Sequence, residues 1–566
     1  MTHYLSRVFT FFLFFLFSLS ALSADTIFKT PPFSGSGNCS DCHDGLIDTS
    51  EEDVSIVQDW GNSMMANATT DPFWRAKVAS ELKRNPDLAN EINDTCSKCH
   101  APIAHYEITE VQEGEITLFG ESGVLDPSHA FYDEAMNGVS CTVCHLITDD
   151  DSLGTLEGFS GQYKINNSII NGSIDIYGQF SDIETQQMIN KTGYTPEYSA
   201  HVSDSALCAT CHNLKTPFVD NTGEIIPETE ADYFPEQMPY TEWENSNFDD
   251  SGDTPQSCQD CHMPKTTAKL SNTPGWLEPK DGFAKHHLAG ANTTMLTLLK
   301  DNAEQLDVIS SDLNSGIERA LAMLKSAVNI EIISASVNNG ILEVKVKLDN
   351  NSGHKTPTAY PSRRMWLHFK VTDSNSNIVF ESGKIETDGS ITGADNDFNQ
   401  SVFEPHYNLI TSPNQVQIYE TIMANTDDEV TFTLLRSAYY LKDNRLTPKG
   451  FDKSDVNLPN DVAVKGQAAN DADFNRGSDE IIYRFPVSVA GELDISVSLN
   501  YQTISHGFLQ DLYDDSGQVG QVDDFKAMYD KQSLKHEVMV STQSTVISDG
   551  GGVLPAMPAI IMLLLL

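Results

Sequence analysis

The sequence contains the stretch Gly138-Val-Ser-Cys141-Thr-Val-Cys144-His145, in which two cysteines three positions apart are followed at once by a histidine. The same Cys-x-x-Cys-His pattern occurs four more times. It begins at Cys39, Cys96, Cys208 and Cys258. Together the five segments use all ten cysteines of the chain. The repetition indicates one chemical requirement that the chain meets five times.

This pattern is typical of covalent c-type haem attachment. Two thiols at this spacing can bond to the two vinyl groups on one edge of a porphyrin, and the following histidine is placed to bind the iron from one face. Zinc binding and disulfide formation are the alternatives, but neither explains a histidine after every second cysteine. The sequence therefore predicts five covalently attached haem c groups.

The predicted attachment residues follow directly from the motifs. The thioether-forming cysteines are Cys39, Cys42, Cys96, Cys99, Cys141, Cys144, Cys208, Cys211, Cys258 and Cys261. The predicted proximal iron ligands are His43, His100, His145, His212 and His262. Because all five motifs lie within residues 39–262, little polypeptide is available to surround each porphyrin. We therefore expect the haems to lie close enough to one another to exchange electrons.

Each iron has a sixth position that is either filled by a distal ligand or open. We expect distal ligands among Met65, His129, His201, His287 and His354. The alternates are Met64, His105 and His286. A methionine ligand would raise the potential of its haem. The other interpretations are ordinary surface or capping histidines and methionines that pack in a core.

The pattern of the sequence changes after the last motif. Residues 25–312 are predicted as a domain of short helices and loops that carries the haems. Its clearest helix is Phe73–Leu82, which follows an Asp-Pro pair typical of a helix start. Apolar residues at helical spacing over 313–328 predict a helix that links this domain to the rest of the chain.

From Ile330 onward apolar residues alternate with polar ones, as in half-buried strands. Asn338-Asn339-Gly340 predicts a hairpin turn before the second strand. Strands are predicted at Leu342–Leu348, Met365–Val371, Val416–Ile422, Val430–Leu434, Ile481–Phe485 and Leu493–Leu499. Residues 329–545 are therefore predicted as an antiparallel β-sandwich, and the fold class as α+β.

Both termini carry signals that concern location. Residues 1–24 combine Arg7, an apolar run and a small-residue cleavage site, which predicts a secretory signal peptide; an uncleaved anchor is the alternative. Residues 546–566 form a glycine-rich linker and an apolar tail too short to cross a bilayer. The tail is interpreted either as a surface-anchoring signal or as a frayed end. We expect the protein in the periplasm or at the cell surface.

The net charge restricts the partners. The 566 residues include 35 Lys+Arg and 81 Asp+Glu, a formal charge of −46. Such a chain is repelled by nucleic-acid phosphates and by anionic lipid. We expect redox partner proteins, with basic ones favoured.

Several longer stretches resemble a family of secreted multihaem c-type cytochromes with a C-terminal β-domain. They include the segment Asp59-Trp-Gly-Asn-Ser-Met-Met-Ala, the segment Gly353-His-Lys-Thr-Pro-Thr and the segment Arg363-Arg364-Met-Trp. The haem half is also distantly similar to tetrahaem cytochromes and octahaem enzymes of nitrogen metabolism. The pentahaem nitrite reductases usually carry a Cys-x-x-Cys-Lys motif, which this sequence lacks. The resemblance implies haem electron transfer.

Two functions from different classes follow. The first is an electron carrier between a membrane-linked or periplasmic donor and a periplasmic or extracellular acceptor. The alternative is an oxidoreductase in which one open haem acts on a small inorganic nitrogen or sulfur compound. Its conceivable pocket residues are His105, Tyr106, Arg363 and Arg364, for which packing and ion pairing are the other interpretation. A filament-forming cytochrome is a third possibility that the sequence does not separate from the first.

Overall fold

A computed structural model describes residues 26–310 and 313–550. The predicted signal peptide and the apolar end of the predicted tail, residues 551–566, lie outside these ranges. No helix within the described residues is long and apolar enough to cross a membrane.

The haem-motif half, residues 26–310, consists of short helices joined by long connections. The helices are α1 (Gly37–His43), α2 (Ile56–Gly61), α3 (Pro72–Arg84), α4 (Ala89–His100), α5 (Pro102–Tyr106), α6 (Tyr132–Met136), α7 (Cys141–Leu146), α8 (Gln186–Thr192), α9 (Ser205–His212), α10 (Pro239–Glu244), α11 (Cys258–His262), α12 (Thr293–Asp301) and α13 (Ala303–Leu306). The predicted helix over Phe73–Leu82 is confirmed as α3, where the Asp71 carboxylate accepts hydrogen bonds from the Phe73 and Trp74 N–H groups.

This half also contains small sheets that the sequence analysis did not predict. The strands are β1 (Lys29–Thr30), β2 (Phe33–Ser34), β3 (Ile169–Ile170), β4 (Ser173–Gly178), β5 (Tyr194–Tyr198), β6 (Leu214–Thr216), β7 (Phe234–Gln237), β8 (Lys265–Ala268) and β9 (Lys280–Ala284). They form the sheets β1–β2, β3–β4–β5, β6–β7 and β8–β9. Strands this short carry too little alternation to be recognised from sequence.

In the C-terminal half, residues 313–550, one helix precedes a strand-rich region. Helix α14 (Asn314–Ser326) lies within the segment predicted as the linking helix. The strands are β10 (Val328–Asn338), β11 (Ile341–Asn350), β12 (Arg364–Asp373), β13 (Ile378–Ser382), β14 (Leu409–Ile410), β15 (Ile418–Ala424), β16 (Tyr439–Asp443), β17 (Ser478–Pro486), β18 (Ala490–Gln502) and β19 (Glu537–Asp549). The helices α15 (Asp395–Phe398), α16 (His506–Tyr513) and α17 (Gly520–Tyr529) lie in the connections.

These strands form two sheets. One has the order β10-β11-β17-β14, in which β14 runs parallel to β17. The other has the order β16-β15-β12-β18-β19, and β13 also pairs with β12. Both sheets direct alternate side chains into a shared core, with Leu342 and Tyr483 from the first and Phe369 and Leu499 from the second. The predicted α+β class is therefore confirmed.

The turn between β10 and β11 forms as predicted. Asn339 and Gly340 have φ angles of 51° and 72°, the positive values that a tight hairpin of this kind requires. The predicted strand over Val430–Leu434, in contrast, is wrong. Val430 makes a single bridge to Ala424, and Leu434 begins a short 3-10 turn.

The segment after Val430 is not a strand because its polar groups bond to α3 in the haem-motif half. Lys77 donates to the Phe432 carbonyl at 2.7 Å, and the Leu434 N–H donates to the Glu81 carboxylate at 2.7 Å. Arg84 in the same helix pairs with Asp511 in α16 at 2.7 Å. Helix α3 is thus the main seam between the two halves.

Candidate haem-binding sites

Each Cys-x-x-Cys-His motif lies at or near the C-terminal end of a short helix. Helices α1, α4, α9 and α11 end at the motif histidine, and α7 ends one residue later. On a helix, residues three positions apart share a face, so the two thiols of each motif lie side by side. Local capping fixes two of these helices: Asp204 caps α9, and Ser257 forms a capping box with Asp260 at α11.

The five motifs are brought together in space. None of the ten cysteines, all of which lie in the described residues, forms a disulfide bond. Thiols of different motifs hydrogen-bond to each other, which shifts their pKa values in opposite directions: lowered for the first and raised for the second member of each pair. The pairs are Cys39 with Cys141, Cys211 with Cys99, and Cys258 with Cys208. The motif at Cys208 to His212 therefore contacts two others.

Four of the five motif histidines are oriented by the backbone. Their Nδ1 atoms lie 2.6–3.0 Å from carbonyl oxygens, so this nitrogen carries the proton and Nε2 keeps a free lone pair. The contacts are His43 with Leu270, His100 with Ala68, His145 with Tyr177 and His262 with Ala289. This arrangement is typical of metal-binding histidines, because the carbonyl fixes the tautomer and the ring orientation.

Two motif histidines face a second imidazole. The ring centres of His145 and His286 are 6.3 Å apart with planes inclined by 26°. Those of His262 and His354 are 6.4 Å apart with planes inclined by 18°. In both pairs the second histidine has the same anchoring, because His286 Nδ1 contacts the Ala284 carbonyl at 3.0 Å and His354 Nδ1 contacts the Lys355 carbonyl at 2.9 Å.

This spacing fits a shared iron. Two imidazoles that bind one metal ion from opposite sides, with bonds of about 2 Å each, place their ring centres about 6 Å apart. Rings in direct stacking contact are closer, as with Trp74 and His100 at 4.5 Å. The residues present therefore fit haem groups with two axial histidines at the third and fifth motifs.

The protonation of these rings is also suitable. Burial lowers the pKa of His286 to about 3, and it lowers the pKa of His145 and of His354 as well. A buried imidazole is thus held neutral, which is the form that binds metal. Desolvation is the main cause that lowers the pKa of His212 to about 4, and the nearby His262 lowers it as well.

A buried ionic network from both halves positions His354. Glu242 in α10 accepts hydrogen bonds from the Lys355 N–H at 3.1 Å and the Thr358 hydroxyl at 2.6 Å. It also pairs with Arg445 at 2.8 Å. Asp443 joins the network by binding Lys355 Nζ at 2.6 Å and Arg445 at 2.7 Å. The loop that carries His354 is therefore fixed to the haem-motif half by charges that burial makes costly to separate.

His286 is placed by the small sheet that follows the fifth motif. Strand β9 pairs with β8, which begins three residues after His262. The Lys285 N–H then donates to the Pro264 carbonyl at 3.0 Å, and Lys285 Nζ pairs with Glu52 at 2.5 Å. The sequence favours His287 as a distal ligand with His286 as the alternate, whereas in the structure it is the His286 ring that faces His145.

Two predicted distal ligands have no free ring nitrogen in this structure, contrary to expectation. His201 contacts the Ser199 hydroxyl through Nδ1 at 2.6 Å and the Ile147 carbonyl through Nε2 at 2.9 Å. His105 contacts Asp94 through Nε2 at 2.9 Å and the Thr109 hydroxyl through Nδ1 at 3.4 Å. Through these hydrogen bonds, both side chains stabilise the polypeptide next to a motif.

Within the described residues, neither of the remaining candidate histidines makes a ring contact with a motif histidine. His287 Nε2 lies 3.7 Å from the Asp59 carboxylate. His129 accepts a hydrogen bond from the Phe131 N–H at 3.1 Å. Met64 packs against the apolar cluster around Phe73. Met65 contributes its carbonyl oxygen to the Val139 N–H at 3.0 Å.

Of the conceivable pocket residues of the alternative function, Arg364 and Tyr106 have partners within the protein, whereas Arg363 forms no ion pair in the described part of the chain. Arg364 is fully buried and binds Asp397 at 2.6 and 2.9 Å, so it serves packing and ion pairing. Tyr106 accepts a hydrogen bond from Asn167 and packs edge-on against Phe33. Arg363 differs, because it forms no ion pair within 4.0 Å in the described part of the chain and its guanidinium contributes to lowering the pKa of His212.

One cluster in the C-terminal half has the residue types of a metal site, namely His406, Asp471 and Asp479. Its hydrogen bonds argue against metal binding. His406 Nδ1 accepts from the side-chain amides of Gln417 at 2.8 Å and Asn444 at 3.1 Å, and the oxygens of both amides are held by backbone N–H groups. A neutral His406 therefore carries its proton on Nε2, the nitrogen that points at the carboxylates.

Comparisons with known proteins found no matching family model and no matching curated protein. Among solved structures, the chain is similar to the penta-heme cytochrome c552 from Thermochromatium tepidum, with a TM-score of 0.48 and 13% sequence identity. The likeness covers 90% of this chain and 98% of that one. At this level of similarity, function has to be argued from the residues of this chain.

Proposed function

We propose that this protein is an exported multihaem c-type cytochrome that binds five haem c groups and transfers electrons through them. It would carry electrons between a membrane-linked or periplasmic donor and a periplasmic or extracellular acceptor. The haems would supply the one-electron redox chemistry. The polypeptide would hold them close together and set their potentials through axial ligands and burial.

The observation that carries this proposal is that two pairs of imidazoles face each other, with ring centres 6.3 Å apart in one pair and 6.4 Å apart in the other. Each pair consists of one motif histidine and one histidine from a distant part of the chain. Zinc sites and disulfides would not require two parallel rings at this separation. The contacts between thiols of different motifs support a further point, namely that the haems lie within electron-transfer distance of one another.

The proposal includes the organisation of the chain. Residues 25–312 would form the pentahaem domain and residues 329–545 a β-sandwich domain, joined by a helix within 313–328. The β-domain would contribute His354 as a distal ligand. A net charge of −46 favours basic redox partners, and the N-terminal segment favours export.

The test is a haem count. The full chain, with its signal peptide, is expressed in a bacterium that matures c-type cytochromes, and the purified protein is analysed by intact mass spectrometry and by the pyridine haemochrome assay. We expect five haems per chain, retained after denaturation because they are covalently attached.

The matched control is the double variant Cys258→Ala with Cys261→Ala, which removes one motif and should reduce the count to four. A native protein that contains bound zinc or disulfides in place of haem would refute the proposal. So would five haems that sodium dithionite does not reduce.

A further inference from the structure

Helix α2 contacts the polypeptide on both sides of the third haem site. Trp60 in this helix donates from Nε1 to the Val139 carbonyl at 2.8 Å, two residues before the third motif begins. Its neighbour Asp59 lies beside His287, the residue that follows the proposed distal ligand His286. Adjacent residues of one short helix therefore reach the proximal and the distal side of the same site.

The Asp59 carboxylate is buried and has two polar neighbours. Its Oδ1 accepts a hydrogen bond from Arg319 Nη2 at 2.6 Å. Its Oδ2 faces His287 Nε2 at 3.7 Å. Among the described residues neither Oδ2 nor that Nε2 has a hydrogen-bond partner, so each atom is satisfied by the other, either directly after a small shift or through one water molecule.

Arg319 is supplied by α14, the helix that links the two halves. Gly316, three residues earlier, permits a close approach of α14 to α2, because a Cβ atom there would lie 2.0 Å from the Asn62 carbonyl oxygen. The Asn62 side-chain amide also donates to the Ser315 hydroxyl at 2.7 Å. Helix α14 is thus held against α2 in the position that brings Arg319 to Asp59.

The position of His287 constrains that of His286, because the two residues are consecutive in one turn after β9. The His286 ring is anchored locally, through the contact of Nδ1 with the Ala284 carbonyl at 3.0 Å. The next residue, Leu288, has a φ of 45°, a strained value for leucine. Strained backbone persists only where surrounding contacts hold it, and the contact with Asp59 ties this turn to α2.

We propose that Asp59 and Arg319 are positioning residues for the haem at the third motif. Acting through His287, they fix the turn on which the His286 ring meets the iron. This inference rests on the proposed function, because it requires a haem at that motif. Since Arg319 belongs to the linking helix, the C-terminal half controls the axial geometry of a haem whose two ligands both lie in the haem-motif half.

The test uses electron paramagnetic resonance of the oxidised, haem-loaded full chain as the native protein, Asp59→Asn and His286→Ala. The g values of a low-spin haem with two histidines depend on the angle between the imidazole planes, which is 26° at this site. We expect Asp59→Asn to change the g values of one low-spin haem, the same one whose signal His286→Ala removes, and to leave the others unchanged.

A titration with sodium cyanide measures how firmly the distal histidine is held, because cyanide competes with it for the iron. In Asp59→Asn, cyanide should bind to that haem at about tenfold lower concentration than in the native protein, since a charge-assisted contact is weakened. If Asp59→Asn does not fold, Arg319→Gln, at a less buried position, carries the same comparison.

Further variants separate positioning from a general loss of stability. Asp511→Asn breaks the partly buried pair with Arg84, which also joins the two halves, and it is the matched control. It should lower the temperature of unfolding yet retain the native g values and cyanide affinity. Arg319→Lys keeps the positive charge beside Asp59 and should also give the native g values, whereas Arg319→Gln should reproduce Asp59→Asn.

A double-variant comparison tests the route through His287. His287→Leu should alter the same haem signal as Asp59→Asn, and combining the two changes should add nothing more. If His287→Leu instead produced a high-spin haem while His286→Ala did not, His287 would be the iron ligand and the inference would be overturned.

The remaining outcomes are also decisive. If Asp59→Asn unfolds at a lower temperature but keeps the native g values and cyanide affinity, Asp59 contributes to packing alone and the inference is wrong. A change at a haem other than the one affected by His286→Ala would refute it as well. A chain without haem would refute the proposed function itself, a result that the haem count distinguishes from the others.

Discussion

In the C-terminal half, strands β11, β12 and β18 direct alternate apolar side chains into one continuous core. In the haem-motif half, α3 and α12 pack into a cluster shared with the C-terminal half, and the other buried apolar residues form small clusters, such as those around Ile92, Val143 and Val54. Apolar burial drives folding roughly in proportion to area. The C-terminal half is therefore stabilised largely by its own side chains, whereas in the haem-motif half the proposed porphyrins would supply much of the core.

The largest effect should come from removing every attachment site. A chain with all ten cysteines changed to alanine should lose protected structure over residues 26–310 and retain it in β11, β12 and β18, because the C-terminal core does not include the motifs. Hydrogen exchange followed by mass spectrometry measures this for each half. Equal protection in the two halves would contradict the comparison.

The next effect concerns the buried ionic network that positions His354. Lys355→Met removes one of the buried positive charges that neutralise Asp443 and Glu242. Because a buried carboxylate is then left without full compensation, the variant should be less stable by about 3–5 kcal/mol. It should also displace His354 and produce a high-spin signal from the haem at His262. Thermal unfolding and electron paramagnetic resonance measure the two consequences.

The matched control is Lys345→Met. Lys345 pairs with Glu480 at a partly exposed position on β11, where solvent screens the pair, so its loss should change stability little and leave every haem signal unchanged. If both variants gave the same small loss of stability, the buried pair of Lys355 with Asp443 would not contribute to the stability of this network.

One contribution to the pH dependence of stability should come from Glu404 in the C-terminal half. Burial raises the pKa of Glu404 to about 8, from an unfolded value near 4.5. Between these values the folded state holds a proton that the unfolded state releases, so the free energy of unfolding falls as the pH rises from about 4.5 to about 8.

Glu404→Gln removes this titration. Its unfolding free energy should exceed that of the native protein by about 1–3 kcal/mol at pH 9, while the two should be similar at pH 4.5. Urea unfolding at the two pH values measures the difference. A gain that is equal at both pH values would show that Glu404 is not the titrating group.

The smallest effect is in the β10–β11 turn. Gly340 has a φ of 72°, so Gly340→Ala should destabilise the protein by about 1 kcal/mol. Gly520→Ala, at an open helix position without a positive φ, should be neutral or slightly stabilising. Because the C-terminal half is expected to fold without haem, Gly340→Ala should destabilise the cysteine-free chain by the same amount. If the destabilisation disappeared in that chain, the expectation that the C-terminal half folds on its own would be wrong.

The predictable parts of the molecule are those with a local signal. The Asp71-Pro72 pair identified α3, and alternation identified β11, β12, β17 and β18, while the motif spacing predicts five attachment segments, each of which lies on a short helix. The segment after Val430 was misassigned because its backbone groups bond to Lys77 and Glu81, which are distant in sequence.

The distal side of the candidate sites was only partly predictable. His354 was expected from its loop, but the choice between His286 and His287 depends on the pairing of β9 with β8, which spacing does not reveal. His201 has the right residue type, yet Ser199 and the Ile147 carbonyl occupy both of its nitrogens. The network of Glu242, Lys355, Asp443 and Arg445 left no signal in the sequence, because buried and exposed charges look the same there.

The central claim is that polypeptide segments far apart in sequence supply paired axial histidines to haems at the third and fifth motifs. The most direct measurement is electron paramagnetic resonance of the oxidised native protein beside His286→Ala, His354→Ala and the control His368→Ala, with the haem count held at five. We predict that each of the first two variants converts one low-spin haem to a high-spin one and that the control matches the native protein. Unchanged low-spin signals in both His286→Ala and His354→Ala would contradict the account.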